Sequence, residues 1–514
     1  MVDASDLISA AQLAGLPDST DGDLLRHTLA DRRPPEHRRI FTNRTLRMET
    51  IRFVGFDLDW TLADYDLDAM SRLTFELGLD HLVTKAGYPR RVRQAEYDPQ
   101  FTRRGLIVDT EAGTVLKMNR HRYVGRAYRG RTYLDAKIRA ELYRRAPINP
   151  ASKRFHFMDT LFELPEINIF AELVELEQQR ATRDDPLPAY DQLYRDVRRT
   201  IDGLHADGTL KSAILSDLPH YLPRDPDTVR ALHRLALGGR KLLLITNSEW
   251  YYTDALCRHL FADVLRPDQH WRSLFDLVIV SAAKPGFFSK RRPFVELDDT
   301  GEPVREVDTP AWHGLYEGGN REGLMQLIDA PGEQVLYVGD HIYGDIFSSK
   351  ANATWRTALV VREMEDELRV LQTLEGKLRI RQALRAELTD FGLQMDDLKD
   401  VRTLYRQIHR GASGNGASSP AAATLDEIDR RLATMENEHR AMRQHTGRLQ
   451  REISQQLNRY WGSLFKQGAN KSLFGSQVDD FACVYTSRAS NFAYYGSNHY
   501  YRSLRDPMMH EALA

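Results

Sequence analysis

Four short apolar runs, each breaking off in a cluster of polar residues, constrain the fold of this chain more than any other feature. They are IRFVGFDLD (51–59), KLLLITNS (241–248), FDLVIVSAAKPGFF (275–288) and QVLYVGDH (334–341). Continuous apolar runs of this length, alternating with helical stretches such as 253–260 and 321–328, predict a parallel sheet covered on both faces. In an open α/β sheet ligands bind outside the carboxyl ends of the strands. Every polar cluster above falls at such an end. The expected fold class is therefore α/β, a doubly wound and mainly parallel sheet of the Rossmann kind.

Roughly 180 residues separate the first run from the second, where a parallel crossover needs only a dozen or so. Residues 66–235 are read as an inserted, mostly helical cap domain, leaving 46–65 and 236–362 for the α/β core and 1–45 as an N-terminal extension. Beyond the core, apolar residues at 364, 368, 371, 374 and 378 and again from Leu425 to Leu457 follow three-four spacing. They predict two helices forming an antiparallel hairpin over 363–460. The segment 411–424, rich in Gly, Ser and Ala, reads as a flexible linker within it. Residues 461–514 are expected to pack on the core or at an oligomer interface, and the hairpin itself suits an oligomer contact and packing on its own body equally well.

With 71 basic and 73 acidic residues the chain carries a net charge of −2, which favours neither nucleic acid nor membrane as a partner. No apolar span approaches the ~20 residues a bilayer requires. Cys257 and Cys483 fit no disulfide or metal framework, and the N-terminus lacks the basic segment of a signal peptide. A cytoplasmic location is expected.

The strand ends bring together Asp57 and Asp59, Thr246 and Asn247, Lys284, and Asp340 and Asp345. A lone Asp-x-Asp is weak evidence, but the ordered set is not. Two carboxylates ~4 Å apart repel by roughly 4 kcal/mol at an effective dielectric near 20. Such a cluster calls for a cation, and hard oxygen ligands select Mg²⁺. A cation, a lysine and a free carboxylate suit phosphoryl transfer, where catalysis is positioning plus charge stabilisation.

Asp57-x-Asp59-x-Thr61, Thr246-Asn247, Lys284 and Gly339-Asp340-x4-Asp345 resemble the four motifs of the haloacid dehalogenase superfamily of phosphatases. The resemblance implies that Asp57 is the nucleophile and Asp59 the acid that protonates the leaving alkoxide and then activates water. It implies that Thr246 and Asn247 hold phosphoryl oxygens and that Lys284 neutralises the nucleophile. Asp57, Asp340 and the main-chain carbonyl of Asp59 would bind Mg²⁺, with Asp345 supporting that shell. Longer strings, among them FDLDWTLADY, TNSEWYYTDALCRHLF, YVGDHIYGDIFSSK and GSLFKQGANKSLFGSQV, are similar to the cytosolic purine 5′-nucleotidase family, which prefers IMP and GMP. His341 and His259 are read as non-ligands.

Within the cap, MDTLFELPE and DVRRTIDGLHADGTLK resemble that family's substrate segments. Arg198, Asp202 and His205 share one helix face, beside an apolar stripe of Val197, Ile201 and Leu204. An arginine suits the O6 and N7 acceptors of a 6-oxopurine, and an aspartate its N1–H. Phe162 is expected to stack on the base, Lys211 to reach the phosphate or ribose, and Ser248 to make a further substrate contact. Without the resemblance, Arg198 and Asp202 would read as a surface ion pair worth ~0.3–0.5 kcal/mol. The expected partner is a purine nucleoside monophosphate, with phosphotransfer to nucleosides as a side reaction, in a homodimer or homotetramer. A phosphatase acting on another metabolite and an inactive nucleotide-binding protein are the alternatives. Animal members of the family carry an effector site near the last motif. Here Lys350-Ala351 replaces its basic pair and Asp159 an asparagine, so ATP activation is expected to be weak or absent.

Overall fold

The computed structural model describes residues 33–143, 148–149, 152–179, 186–265, 269–408 and 420–503. The four apolar runs become strands β1 (Phe53–Phe56), β2 (Lys241–Ile245), β3 (Leu277–Val280) and β4 (Val335–Gly339). They lie side by side in the order β4-β1-β2-β3 and are parallel throughout. Parallel pairing continues to Leu315–Gly318 on one flank and to Arg356–Val360 and Val484–Thr486 on the other. Antiparallel strands close both edges: Phe41–Thr42 beyond Val484–Thr486, and Phe294–Leu297 with Pro303–Val307 beyond Leu315–Gly318. All four motif strands therefore end at one edge of the sheet.

The apolar runs are buried on both faces, as a sheet covered on both sides requires. Phe53, Leu243, Ile245, Leu277, Ile279, Val335 and Tyr337 form one core with Phe287, Phe288, Phe294 and Trp355. The close fit of β1 to β4 depends on Gly55, where an added Cβ would lie 2.8 Å from the Tyr337 ring. The helices expected after β2 and before β4 are present as Trp250–Phe261 and Arg321–Ile328.

Between β1 and β2, the helices Leu67–Thr84, Leu164–Gln178 and Tyr190–Ala206 pack together around buried Phe75, Ile169, Phe170, Val197, Ile201 and Leu204. Beside them stands a five-stranded antiparallel sheet that the sequence reading missed. Its strands are Ile107–Asp109, Thr114–Met118, Val124–Arg129, Thr132–Tyr133 and Phe155–Phe157. Short strands separated by tight turns carry little periodic signal, yet TVLKM and GRAYRGRTY, with Gly130 at φ +57, are a hairpin in β-branched and aromatic residues.

The described chain divides into two compact units, with Glu367–Ser463 forming the second. In that unit Glu375–Ile408 packs on Pro420–Leu457 around Leu374, Leu449, Ile453 and Leu457. Lys377 pairs with Glu452 at one end and Arg402 with Asp429 at the other, so the two helices run antiparallel. Residues 411–419 of the expected linker lie outside the described residues, as does most of the N-terminal extension. No described helix is long and apolar enough to cross a membrane.

Candidate active site

At the end of β1 the chain turns sharply. The Asp57 N–H continues the ladder to the Val338 carbonyl at 2.9 Å, and the Leu58 N–H donates to Asp57 Oδ1 at 2.8 Å. Trp60 takes up a left-handed conformation at φ 56, uncommon for a bulky residue. The N–H groups of Thr61 and Ala63 then both donate to the Leu58 carbonyl. This reversal carries Tyr65 back over the site, where its hydroxyl meets Asp59 Oδ1 at 2.6 Å.

Lys284 reaches in from the loop after β3. Its Nζ lies 2.9 Å from Asp57 Oδ1, 2.8 Å from Asp345 Oδ1 and 2.8 Å from the Tyr337 hydroxyl. Burial alone would lower the Lys284 pKa, but Asp345 and Asp57 beside it carry it well above its usual value. The lysine is thus charged and held rigidly. Asn247 fixes the same loop: its Oδ1 accepts from the Lys284 N–H at 2.6 Å and its Nδ2 donates to the Lys284 carbonyl at 3.0 Å. Thr246 is fully buried and its Oγ1 accepts from the Ser248 N–H at 3.1 Å. Asp345 approaches only because position 339 is glycine; a Cβ there would lie 2.5 Å from its carboxylate.

Carboxylate oxygens of Asp57, Asp340 and Asp345 lie within 4.8 Å of one another. Burial pushes Asp57 up from 3.8 to about 7, with Asp345 and Asp59 adding to the rise and Lys284 opposing it. Burial likewise raises Asp340 well above the usual carboxylate range. Asp340 Oδ2 is buried and accepts no hydrogen bond. Two buried acids and a third that is partly exposed, with one orphaned oxygen among them, form an all-oxygen donor set that a divalent cation fits. His341 is not in this set: its Nδ1 accepts from the Gly344 N–H at 3.2 Å. His259 contacts the Leu222 carbonyl at 2.8 Å, away from the acids.

A residue that sequence reasoning missed closes the site from the inserted region. The side chain of Arg104 is wholly buried; it grips Glu363 through Nε and Nη2, donates to the Asp340 carbonyl at 2.7 Å, and lies 3.8 Å from Asp340 Oδ2. One cap arginine therefore braces the ends of β4 and of the strand Arg356–Val360, whose last carbonyl it also meets at 3.3 Å.

Beside the acids opens a cavity of about 440 Å³ lined by Asp59, Phe162, Asp202, His205, Lys211, Asn247, Ser248 and Tyr252 among others. Phe162 meets His205 edge-on at 5.4 Å and Trp60 at 6.0 Å. Burial lowers the His205 pKa, so the ring is neutral, and its Nε2 is buried without a partner. Lys211 pairs with Glu249 and lies 5.3 Å from the Tyr252 ring. Arg198 is placed differently. Its guanidinium donates to Glu163 at 2.7 Å and lies 3.5 Å from both Glu166 and Asp202, and it is not among the cavity's lining residues. Burial raises Glu166 to about 7, against the pull of Arg198. The helical spacing of Arg198 and Asp202 is as read, but Glu163 and Glu166, from the neighbouring segment, compete for the arginine.

With this geometry in view, a family model described as the 5′ nucleotidase family matches residues 40–513. The chain belongs to the 5′ nucleotidase family. It is 30% identical over 510 residues to the "5'-nucleotidase domain-containing protein 2" of Rattus norvegicus, covering 95% of this chain and 84% of that protein. It is 30% identical to the Homo sapiens protein of the same description, covering 92% and 85%. A solved structure from Haemophilus somnus, described as a predicted phosphoglycolate phosphatase, covers 61% of this chain and 86% of its own at 14% identity and a TM-score of 0.28, too slight a likeness to bear on function. Family membership makes the chain a 5′-nucleotidase, a phosphoric monoester hydrolase, here built on a mainly parallel α/β sheet. A divalent cation is the cofactor that this membership and the acid cluster support.

Proposed function

We propose that the chain is a Mg²⁺-dependent 5′-nucleotidase that hydrolyses purine nucleoside monophosphates, IMP and GMP in particular, through an aspartyl-phosphate on Asp57. The observation that carries this reading is the juxtaposition of the Asp57–Lys284–Asp340–Asp345 cluster with a cavity that holds Asp59, Phe162, Asp202 and His205. Mg²⁺ held by Asp57, Asp340 and the Asp59 carbonyl, with Asp345 behind them, would offset the repulsion among the acids and polarise the phosphoryl oxygens.

Asp57, aligned by the Leu58 N–H and Lys284, attacks phosphorus. Asp59 sits on the opposite side of Leu58 and gives its proton to the leaving 5′-oxygen; it then takes a proton from the water that releases phosphate. Thr246 and the N–H groups at the end of β2 face the transferring group, while Asn247 acts through the Lys284 loop. In the cavity Phe162 and His205 supply flat apolar faces for the base and Asp202 an acceptor for N1–H. Transfer to a nucleoside acceptor in place of water follows from the same intermediate.

One observation favours a second reading. Arg198, the residue expected to read the purine acceptors, is engaged by Glu163 and Glu166, which suits a phosphatase less demanding of the base. A panel of nucleoside and sugar monophosphates, assayed on the purified chain with Mg²⁺ and with EDTA, separates the two. IMP and GMP should exceed AMP and sugar phosphates in kcat/KM by at least about tenfold, and EDTA should abolish turnover. Equal rates across the panel would overturn the purine assignment and leave the phosphatase.

A further inference from the structure

Both oxygens of the Asp59 carboxylate are engaged by hydroxyls, and the two hydroxyls differ in kind. Ser248 Oγ donates to Oδ2 at 2.6 Å and Tyr65 to Oδ1 at 2.6 Å. Ser248 lines the cavity, and its hydroxyl can turn about a single bond to donate or accept. Tyr65 is 1% exposed and wedged edge-on against Trp60 at 5.1 Å. Its oxygen also meets the Tyr252 hydroxyl at 3.0 Å. Since Tyr65 donates its one proton to the carboxylate, Tyr252 must be the donor in that pair, so the chain of hydrogen bonds runs Tyr252 to Tyr65 to Asp59. A carboxylate oxygen that accepts from a fixed O–H donor is a weaker base than one whose donor can turn away, so a proton goes to the other oxygen.

We infer that Tyr65 is a positioning residue that locks the Asp59 carboxylate and reserves Oδ2, the oxygen shared with Ser248, for proton transfer. The inference rests on the phosphatase chemistry proposed above, though not on the identity of the base. In the first half-reaction a bond forms between an Asp57 oxygen and phosphorus while the bond from phosphorus to the ester oxygen breaks. The electron pair leaves with the ester oxygen, which takes the proton from Asp59 Oδ2. In the second, water oxygen bonds to phosphorus, its proton passes to Oδ2, and the acyl-phosphate bond breaks to restore the Asp57 carboxylate. Ser248 follows by rotating from donor to acceptor as Oδ2 gains its proton. Tyr65, whose oxygen already accepts from Tyr252, is held as a donor, and that asymmetry selects the oxygen.

The test compares leaving groups in single turnovers with enzyme in excess, using the full chain with Mg²⁺. Release of nucleoside from a nucleoside monophosphate needs the acid, because an alkoxide leaves poorly; p-nitrophenolate leaves unaided. Tyr65→Phe should slow nucleoside release by about 100-fold, the scale of a general-acid contribution, and leave p-nitrophenol release within about threefold. Tyr252→Phe, which keeps the Tyr65–Asp59 bond and removes only the donor behind it, should slow nucleoside release by about fivefold, again sparing p-nitrophenol. Equal slowing of both substrates, or of neither, overturns the positioning role. If Tyr65→Phe fails to fold, the same leaving-group contrast in Tyr252→Phe decides it. A wild-type chain that cleaves other alkyl phosphates but no nucleotide sinks the nucleotide reading alone, and Tyr65 is then tested on those esters.

Discussion

Replacing Asp57 with asparagine should stop turnover and at the same time stabilise the metal-free protein. In the folded chain burial raises Asp57 from 3.8 to about 7, a value that already contains the attraction of Lys284. The folded state therefore holds the Asp57 proton more tightly than the unfolded state does. Stability is favoured while that proton is bound and declines as pH rises from about 4 to about 7, where the folded group ionises. At about 1.4 kcal/mol for each pH unit, the ionised carboxylate costs on the order of 4 kcal/mol once pH exceeds 7. The amide cannot ionise and escapes this cost, while it keeps the shape needed to accept from the Leu58 N–H. In EDTA the variant should match wild type near pH 4, exceed it by about 2 kcal/mol near pH 5.5, and exceed it by about 4 kcal/mol at pH 8. Urea unfolding across that range, followed by circular dichroism, reads the difference directly. Saturating Mg²⁺ should then raise the wild type more than the variant, since the cation takes over the neutralisation that the amide made unnecessary. An Asp57→Asn variant less stable than wild type at pH 8 in EDTA, or a difference that does not change with pH, would refute the view that this cluster is assembled at a cost which a cation relieves.

Three further outcomes follow from the same geometry. Arg104→Met leaves Glu363 buried and unpaired, so it should cost about 3–5 kcal/mol in urea unfolding, most of it recovered by adding Glu363→Met. Asp202→Ala should lower kcat/KM for IMP and GMP by about tenfold or more while changing p-nitrophenyl phosphate hydrolysis less than about twofold; equal losses would take Asp202 out of the base site. Millimolar ATP should leave the apparent KM within about twofold, because Ala351 offers no charge and Lys350 already donates to the carbonyls of Asp480 and Phe481; a fall of about tenfold would contradict this.

The strand-end half of the candidate site was legible in the sequence because its logic is local. Asp57, Thr246 and Asp340 each follow directly on a strand of four or five residues, and Lys284 stands four residues beyond the end of another; a parallel sheet delivers all such positions to one edge. What the sequence hid are contacts whose partners come from separate turns of the fold. Tyr65 lies only six residues beyond Asp59, yet their contact depends on the left-handed turn at Trp60, which no apolar periodicity announces. Arg104 meets Asp340 across 236 positions of sequence, and nothing in the local string TRRG marks one arginine as buried and the other not. Arg198 shows the converse failure. Helical spacing placed it correctly beside Asp202, but a guanidinium is claimed by whichever carboxylates reach it first, and Glu163 and Glu166 arrive from another segment. Period and spacing say which face a side chain occupies; the charge it finds there is decided by tertiary packing. That division explains why the strand-end cluster could be read in more detail than the surroundings of the cavity. Asp57, Asp59, Asp340 and Asp345 are gathered by one sheet edge, whereas the cavity is lined where the inserted segments meet that edge, each contributing residues whose partners lie far away in sequence.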